Sequence, residues 1–460
     1  MASTDLTRTH TVATADERKK HTFSAWIKLS AIGSDSNTFF SNRPSGNYRF
    51  YYMIMNSGGG GNTVPNAFYC YMVYNGSAML EASGTRKLRD VNGWYHIVVR
   101  TDTTQAAAAD RFRVYINGEQ DPVTLHHAPD QNEELQVNRD TTHYIGEEGN
   151  GNGQFNGSMS HIHFCDGYSY GPDSFGSTDS TTGEWKINTS PSVSYGTNGF
   201  FILKNGNSVT DQSGNSHNWT VNAGTLTKTE DNPSNVFATL NSLNIPTSNA
   251  PTFENGNTAS TTSSSGSGKF GGSSTLGMTS GKWYCEARAK IPGSSRNVFG
   301  LSGAVSLVAR NNNSFLSDTD NSIGWYSADG TVAYNNSSQY TASSYANDDI
   351  LMIAVDMDNL KVYLGKNGTW QNSGVPTSGS TGTGAITIAA ASSCHDGAYF
   401  FCFSDDTSTS AVAKFEYNFG NGYFGTTAVS SAGTNASGIG IFEYDVPAGY
   451  TALCTKGLNL

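Results

Sequence analysis

The sequence has few charged residues and no long apolar run. Asp, Glu, Lys and Arg make up only 14% of its 460 residues, and nowhere do apolar residues continue for the roughly 18 positions that cross a bilayer as a helix. The polar segment at 1–20 also lacks the apolar stretch that a signal peptide needs. Neither membrane insertion nor Sec export is therefore expected.

Basic clusters are missing as well. The 27 Lys and Arg residues are outnumbered by 38 Asp and Glu, which gives a formal net charge of -11. Binding to nucleic acid or to an anionic membrane depends on clustered Lys and Arg. Neither is therefore an expected partner.

The cysteines show no spacing typical of a metal or redox site, because the sequence contains neither a CxxC pair nor a zinc-like Cys/His pattern. Isolated thiols, packed in strands of a protein made in a reducing cytoplasm, are the favoured interpretation. One or two disulfides remain an alternative. The six cysteines are Cys70, Cys165, Cys285, Cys394, Cys402 and Cys454.

Glycine and aromatic residues are plentiful. The chain contains 51 Gly, 23 Tyr and 23 Phe, which with the low charge favours strands joined by tight turns over long surface helices. Since hydrophobic cores stop growing at about 250–300 residues, two or three domains are expected.

Alternating patterns predict the first strands. Residues 22–29 alternate with a period of two, which places Phe23, Ala25, Ile27 and Leu29 on one face and Trp26 on the other. Residues 95–100 and 111–116 continue an antiparallel meander, and the latter ends in the hairpin pair Asn117-Gly118. The Ala106–Ala109 run between them is predicted to be a loop or a single turn.

A further strand is predicted at 158–165, with Met159, His161, His163 and Cys165 on one face. Residues 255–280 are a Ser/Thr/Gly-rich stretch that suits a linker or a loop. Strand patterns resume at 281–290, 350–355 and 360–368, and 415–419 and 441–454 are candidate closing strands.

Five ordered phrases in the first half carry a resemblance. They are Phe23-Ser-Ala-Trp-Ile-Lys, Gly93-Trp-Tyr-His-Ile-Val-Val-Arg, Asp110-Arg-Phe-Arg-Val-Tyr-Ile-Asn-Gly, Tyr144-Ile-Gly and Phe155-Asn-Gly-Ser-Met-Ser-His-Ile-His-Phe-Cys-Asp-Gly. In this order they resemble the laminin-G-like, concanavalin-A-like jelly roll.

Residues 281–420 resemble a SPRY domain, through Lys282-Trp-Tyr-Cys-Glu, Ile323-Gly-Trp-Tyr, Asp349-Ile-Leu-Met-Ile-Ala-Val-Asp and Lys361-Val-Tyr-Leu-Gly-Lys-Asn-Gly-Thr-Trp. Connecting phrases such as Asp231-Asn-Pro-Ser-Asn-Val-Phe-Ala-Thr-Leu-Asn and Pro447-Ala-Gly-Tyr-Thr-Ala-Leu-Cys-Thr-Lys are similar to virion proteins of marine tailed phages. Such tandem chains are usually called tail-fibre-like or appendage proteins.

These resemblances imply an all-β chain with two antiparallel β-sandwich domains in tandem. The expected division is a polar N-terminal segment at 1–20 that could act as a docking tag, a laminin-G-like jelly roll at 21–190, an extended connecting segment at 191–280, and a SPRY-like sandwich with closing strands at 281–460.

The resemblance also implies a function. The chain would lie on a virion surface, made in the cytoplasm of the bacterial host, and would bind a host-surface glycan or protein beside other virion proteins. A homo-oligomer is expected, with a trimer as the form for a fibre. Two alternatives stay open: a capsid decoration or head-appendage protein, and a glycan depolymerase.

Candidate ligand-binding residues lie in two regions of the first half and one of the second. Aromatic faces stack on sugar rings, and Asn and Gln side chains bind hydroxyl groups, although aromatic residues of a sandwich also form its core. Loops of SPRY domains grip short peptides. The candidates are Asn47, Tyr48, Tyr51, Tyr52, Asn150, Asn152, Gln154, Phe155, Trp325, Tyr326 and Trp370.

No cofactor is assigned, but calcium is a possible ligand because laminin-G-like domains often hold it with Asp and carbonyl oxygens. Its candidates are Asp166, Asp211 and Asn215. Zinc at the His161/His163 pair or at His126-His127 is disfavoured, since no third ligand has a suggestive spacing.

No catalytic residue is assigned, and a non-enzymatic protein is expected. The adjacent pairs Glu133-Glu134 and Glu147-Glu148 would point to opposite faces of a strand, unlike the same-face carboxylates of jelly-roll glucanases. The run Cys394-His395-Asp396 is interpreted as a turn, because catalytic triads assemble from distant segments.

Overall fold

The computed structural model describes residues 4–32, 36–55, 64–264, 269–290, 297–310, 316–317, 320–405 and 412–459. Within these ranges the chain is almost all β-structure, and α-helix occurs only at Ala108–Arg111 and Val305–Arg310. Neither helix has the length or apolarity to span a bilayer. Short 3-10 helices occur at Glu17–Lys19, Pro172–Ser174, Gln371–Ser373, Pro376–Thr381, Ala391–Ser393 and Gly457–Asn459.

The chain folds as two compact units, Met1–Lys228 and Thr229–Leu460. Each unit contains two large sheets, and nearly all strand pairs are antiparallel. The predicted all-β class with two antiparallel sandwiches is confirmed.

The first unit has an eight-stranded sheet, sheet A, and a six-stranded sheet, sheet B. In spatial order sheet A consists of Thr124–His127, Ser77–Ser83, Ala67–Tyr74, Tyr48–Met55, Asn37–Ser45, Thr142–Ile145, Asp5–Thr9 and Thr220–Ala223. Sheet B consists of Phe200–Ile202, Gly157–Asp166, Lys20–Leu29, Tyr95–Asp102, Phe112–Ile116 and Glu119–Asp121. A small hairpin pairs Gly176–Thr178 with Trp185–Ile187.

Alternation along the strands builds the core between these sheets. The four residues predicted to share a face, Phe23, Ala25, Ile27 and Leu29, are all buried in it. Phe23 stacks on Phe40, with ring centroids 4.8 Å apart. The Ala108–Arg111 helix is the single turn predicted near the Ala106–Ala109 run.

A bulge changes the alternation of the Gly157–Asp166 strand. Ser160 lies opposite Trp26 and His163 lies opposite Ser24, so this strand carries one extra residue, and His161 has a φ of 49°. An extra residue moves the following side chains to the other face. The predicted common face is therefore wrong for Met159, which packs toward the core while Cys165 packs on the outer side of sheet B.

The second unit has a large sheet, sheet C, and a six-stranded sheet, sheet D. Sheet C consists of Thr252–Glu254, Ala259–Thr261, Lys414–Asn418, Lys282–Lys290, Ile350–Asp356, Lys361–Lys366 and Thr369–Trp370, with Ile386–Thr387 beside Lys361–Lys366 and Thr451–Ala452 parallel to Lys282–Lys290. Sheet D consists of Lys269–Ser273, Phe400–Asp405, Asn297–Ser302, Ser322–Tyr326, Thr331–Tyr334 and Ser337–Thr341. A short hairpin pairs Tyr423–Phe424 with Thr427–Ala428.

The structure divides the chain differently from the sequence interpretation at 1–20 and at 191–280. Asp5–Thr9 is a strand of sheet A, between Thr142–Ile145 and Thr220–Ala223. Trp219 is buried against Phe200 in the first unit, whereas Phe237 and Leu240 are buried in the second. These scattered apolar residues place a segment of polar composition within both sandwiches. Residues 265–268 of the Ser/Thr/Gly-rich stretch lie outside the described residues.

The C-terminal segment adds a layer on the outer face of sheet C. Only Thr451–Ala452 is a strand within the predicted closing region 441–454. Phe442, Val446 and Tyr450 pack on Tyr284, which points away from the core between the sheets. All six cysteines lie within the described residues, buried and without a disulfide.

Candidate functional site

Tyrosines form a row on the outer face of sheet A. Tyr51 lies between Phe50 and Tyr52, both buried in the core, so its ring faces outward. Directly opposed residues of antiparallel strands share a face, and the row follows one line across four strand pairs. In order it contains Tyr144, Ser41, Tyr51, Tyr71 and Glu81.

We call the outward residues of this region the tyrosine face. It consists of Tyr51, Tyr69, Tyr71 and Tyr144 with Arg43, Arg49, Glu81 and Glu148, all of them half-buried. The Tyr51 and Tyr71 ring centroids lie 6.1 Å apart, and the Arg49 guanidinium carbon lies 5.3 Å from the Tyr71 centroid. The Tyr69 hydroxyl donates a 3.0 Å hydrogen bond to Glu81. Aromatic rings and hydrogen-bonding groups therefore alternate on one surface.

The loop at 146–156 borders this face at its Tyr144 end. Arg43 Nη1 pairs with Glu148 Oε2 at 3.0 Å. The backbone N–H of Glu148 donates to the Asn152 carbonyl at 3.0 Å. Gly149 has a φ of 84°, and a Cβ at this position would lie 2.8 Å from Cε2 of Tyr144. Glycine therefore lets the loop backbone approach the ring.

The electrostatics of the face favour the neutral hydroxyls of Tyr51 and Tyr69. Burial raises the pKa of Tyr51; Arg49 opposes this shift and Glu148 adds to it. Burial also raises the pKa of Tyr69, together with its hydrogen bond to Glu81. A neutral phenol can both donate and accept a hydrogen bond, which suits it to bind a hydroxyl-rich ligand.

The first group of predicted ligand residues is only partly on this face. Tyr51 belongs to it. Tyr48 lies at the end of its strand, where its hydroxyl donates to Asn75 Oδ1 at 3.1 Å and its ring meets Tyr74 edge-on. The prediction that Tyr52 binds a ligand is wrong, because its side chain is fully buried and its hydroxyl lies 2.6 Å from His21 Nε2. Consecutive strand residues point to opposite faces, so Tyr51 and Tyr52 cannot both face a ligand.

The second group lies in the bordering loop. Asn150 and Asn152 are exposed there, and the Asn152 backbone N–H donates to Asn150 Oδ1 at 3.2 Å. The Gln154 amide donates to the Gly151 carbonyl. Phe155 is corrected to a packing residue, because it is half-buried against the core of the first unit. The structure thus brings Tyr51 and this loop to one surface, through Arg43 and Glu148.

Two of the three candidates in the second unit are buried inside it, and the third is half-buried. Trp325 is fully buried and donates its indole N–H to the Ser343 carbonyl at 3.2 Å. Tyr326 is only 6% exposed, and its hydroxyl lies 2.7 Å from Ser317 Oγ. Trp370 is half-buried among the residues that join the C-terminal layer to sheet C. The assignment of Trp325 and Tyr326 as ligand residues is corrected, because both side chains are buried within the second unit. That of Trp370 stays a prediction.

The possible calcium ligands hold loops through N–H groups. Asp211 accepts backbone N–H bonds from Phe201, Ser213 and His217 at 2.8–2.9 Å. Asp166 accepts one from Asn198 at 2.8 Å, and burial raises its pKa to about 7. Asn215 donates its amide to the Gly196 and Gly199 carbonyls.

No group of three or more His, Cys, Asp or Glu side chains suited to a metal ion occurs among the described residues. His161 and His163 are buried, and burial lowers the pKa of both. His126 lies 2.9 Å from the Ser83 hydroxyl.

A Ser/His/Asp cluster in the second unit lacks the geometry of a proton relay. Cys394-His395-Asp396 is a turn, as predicted, and Ser306 lies beside it. His395 Nδ1 is 3.1 Å from Ser306 Oγ and 2.9 Å from Asp396 Oδ1. A relay uses one ring nitrogen for the nucleophile and the other for the carboxylate. Asp396 instead accepts the Ser306 backbone N–H at 3.0 Å.

The sequence interpretation missed most of the tyrosine face. It did not name these five residues as ligand candidates: Arg43, Arg49, Tyr71, Tyr144 and Glu148. One signal could have found part of it: Tyr69 and Tyr71 alternate with Phe68, Cys70 and Met72 just before the turn pair Asn75-Gly76. The contribution of Arg43 and Tyr144 depends on strand order, which this pattern does not contain.

Comparison with known proteins supports the fold. Residues 3–168 match a laminin G family model described as the concanavalin A-like lectin/glucanases superfamily. No curated protein matches the sequence. The resemblance of the first half to a laminin-G-like jelly roll is therefore confirmed at the level of the fold.

Several solved structures are similar at low identity. The LG4-5 domains of the mouse laminin alpha1 chain share 10% identity over 87% of this chain and 80% of theirs, with a TM-score of 0.28. A carbohydrate-binding protein from Bacteroides ovatus, assigned that role provisionally, shares 17% over 49% and 61%, with a TM-score of 0.32. A human SPRY domain shares 15% over 34% and 90%, with a TM-score of 0.25.

Proposed function

We propose that this chain is a non-catalytic saccharide-binding protein and that the tyrosine face is its binding surface. The observation that carries the proposal is the row on the outer side of sheet A, in which Tyr51 and Tyr71 lie on neighbouring strands and Tyr144 lies on the far side of the strand that carries Ser41. A lectin-like sandwich suits binding, but function depends on the site and not on the fold.

The chemistry of the row suits a sugar. The C–H face of a pyranose packs on an aromatic ring, and its hydroxyls bond to Arg, Glu and phenol groups; a phenol has an apolar body and a polar tip. Tyr51 and Tyr71 supply neighbouring rings, while Arg49 and Glu81 lie beside them. Aromatic residues gathered on a solvent-facing sheet mark a binding surface more often than chance exposure.

The carboxylates of the face support binding without hydrolysis. Retaining and inverting glycosidases need one carboxyl group as an acid and a second as a nucleophile or base. Glu148 is paired with Arg43 at 3.0 Å, and Glu81 accepts the hydroxyl of Tyr69 at 3.0 Å. Both side chains are thereby held as partners of neighbouring residues.

The resemblance of the connecting phrases to marine phage virion proteins supports a place for this binding. We propose that the chain is displayed on a virion as a tail fibre or appendage, oligomeric beside other virion proteins, and that the tyrosine face meets a host-surface glycan. Its position and copy number in purified particles test this: a few trimers at the tail fit host attachment, whereas tens to hundreds of copies on the head would replace it with a decoration role.

Glycan-array binding of the intact chain tests the saccharide-binding role. Tyr51→Ala and Tyr71→Ala should each weaken retention of the glycans that the unaltered chain binds by about five- to thirtyfold, since one stacked ring contributes on the order of 1–2 kcal/mol. Tyr423→Ala, which removes a half-buried tyrosine from the short hairpin of the second unit, is the matched control. The proposal fails if no glycan is retained, or if the control weakens binding as much as Tyr71→Ala.

A further inference from the structure

We infer that the outer side of sheet B carries a second, separate site, which binds a carboxylated sugar. The site consists of Arg100, Ser169 and the rings of Tyr168 and Tyr170, and we call it the arginine site. It goes beyond the proposed function, because it shares no residue with the tyrosine face and lies on the other sheet of the first unit.

Arg100 is an arginine without a counter-charge. Its strand neighbours Val99 and Thr101 are buried, and its own side chain is half-buried on the outer side of sheet B. Nε donates a 2.8 Å hydrogen bond to Ser169 Oγ. Among the residues that the structure describes, no carboxylate pairs with Arg100, and its Nη1 and Nη2 atoms make no hydrogen bond.

Arg113, on the neighbouring strand, differs from Arg100 because it has an acidic partner. Arg113 lies directly opposite Arg100 on the next strand. It forms an ion pair with Asp110, three residues before it. In a chain with a net charge of -11, acidic partners are abundant, so a half-buried guanidinium left unpaired is available to a ligand anion.

A fixed turn places Ser169, which lies between the two tyrosines, beside Arg100. Thr22 lies directly opposite Arg100 in sheet B. Its hydroxyl donates to the Tyr168 carbonyl at 3.0 Å and accepts the Tyr170 backbone N–H at 2.7 Å. The Tyr170 hydroxyl in turn accepts the Ser194 N–H at 2.9 Å. These bonds orient the turn before any ligand arrives, which lowers the entropy cost of binding.

The tyrosine rings belong to the two residues that flank Ser169, the hydrogen-bond partner of Arg100. Tyr168 and Tyr170 are nearly parallel, with an interplanar angle of 12° and centroids 5.9 Å apart. Tyr170 packs edge-on against the buried Phe175, whereas Tyr168 is 42% exposed. An exposed ring supported from behind by a second ring is a rigid platform for the apolar face of a sugar.

Together these features select the ligand class. A guanidinium whose Nη groups are free recognises a carboxylate through two parallel N–H···O bonds, and the adjacent ring recognises the sugar that carries the carboxylate. Neither part alone would distinguish a uronic acid from a neutral sugar or from a simple carboxylate. The arrangement therefore favours uronic acid residues of an acidic polysaccharide.

Ligand-observed NMR titration of the intact chain tests the site, with D-glucuronate as the probe and D-glucose and acetate as comparison ligands. Glucuronate should bind at least about tenfold more tightly than either. Arg100→Gln should raise the dissociation constant for glucuronate about tenfold or more. Arg100→Lys keeps the charge but not the paired N–H groups, and it should raise the constant by a smaller factor.

Matched variants separate this site from the tyrosine face. Tyr168→Ala should weaken glucuronate binding, whereas Arg86→Gln, at an arginine that pairs with Glu119, should leave it unchanged, with circular dichroism confirming that each variant is folded. Equal affinity for glucuronate and glucose, equal affinity for glucuronate and acetate, or unaltered binding by Arg100→Gln would each overturn the inference. The effect of Tyr71→Ala on the glycan array tests the tyrosine face alone, so the two proposals can fail separately.

Discussion

Acid should unfold the first unit before the second, because six histidines of the first unit are buried in the neutral form. Burial is the main cause of the low pKa in each: about 3 for His21, His96 and His143 and about 4 for His161. His10 and His163 are shifted in the same direction. In the second unit the single histidine is His395, which is about half exposed.

The sign and size of the effect follow from proton linkage. Each buried histidine has a much lower pKa in the folded state than in the unfolded chain, where the pKa is about 6.5. Stability is therefore full above pH 6.5 and is lost as the pH falls below it, because the unfolded chain then binds protons that the buried side chains do not. At pH 5.5 each buried histidine lowers the free energy of unfolding by roughly 1.4 kcal/mol relative to its value well above pH 6.5, and the six together lower it by roughly 8 kcal/mol. This is comparable to the total stability of a domain, about 5–15 kcal/mol.

Two buried carboxyls act in the opposite direction. The pKa of Asp166, in the first unit, and that of Glu286, in the second, are both raised to about 7 by burial. Each therefore stabilises its unit increasingly as pH falls through 7 toward the unfolded value near 4, by about 2 kcal/mol at pH 5.5. Asp166 offsets only part of the histidine effect, whereas Glu286 adds to the acid resistance of the second unit.

Hydrogen exchange of the intact chain, followed by mass spectrometry from pH 7.5 to 4.5, measures the two units separately. We expect protection of Lys20–Leu29 to disappear near pH 5–5.5 while Lys282–Lys290 stays protected. His161→Asn should make the stability of the first unit less dependent on pH by about 1.4 kcal/mol per pH unit, and Asn also tolerates the φ of 49° at this position. His127→Asn, at an exposed histidine of sheet A, is the control. Equal acid sensitivity of the two units, or an unchanged slope in His161→Asn, would refute the reasoning.

Three further predictions concern buried polar groups. Glu286 accepts the backbone N–H of Glu443 on Oε2 and that of Tyr444 on Oε1, both at 2.9 Å. Glu286→Gln should destabilise the second unit by about 2 kcal/mol and speed proteolysis of the C-terminal layer, because its NH₂ would replace one of these acceptors and face an N–H group; unaltered protease resistance would contradict this. Arg288→Met should cost about 3 kcal/mol in urea unfolding, since it leaves Glu416 nearly buried without its ion-pair partner, and Arg288→Met/Glu416→Leu should recover most of the loss. Tyr52→Phe should cost about 1 kcal/mol by removing the bond to His21 but leave glycan retention intact; lost retention would return Tyr52 to the site.

The sequence was sufficient to predict features that depend on a single strand or turn. The alternation at 22–29 predicted the buried face of that strand, because a period of two maps directly onto two faces. The turn pair Asn117-Gly118 likewise marked a hairpin, and both residues have positive φ. The jelly-roll phrases were informative for the same reason, since each covers one strand or one strand with its adjoining turn or loop.

The sequence was insufficient wherever a result depended on which strands are neighbours. Tyr52 and Tyr51 are adjacent in sequence, and only the register of sheet A decides that Tyr51 joins Tyr144 and Tyr71 on the outer face while Tyr52 enters the core. The bulge near His161 shifted one predicted face, because one extra residue reverses all alternation beyond it.

The amino-acid sequence by itself determined the strand-rich character of the chain and the alternation of its strands, since these depend on composition and on the local spacing of apolar residues and turns. The tandem of two sandwiches was implied by the family resemblances of its phrases. Tertiary structure alone decided where the polar segment at 191–280 divides between the units, and which side chains meet on each outer face. Arg100 and Tyr168 are far apart in the chain and are brought together by Thr22 of a third segment. Binding surfaces of a sandwich are built from such non-local pairings, which no local pattern encodes.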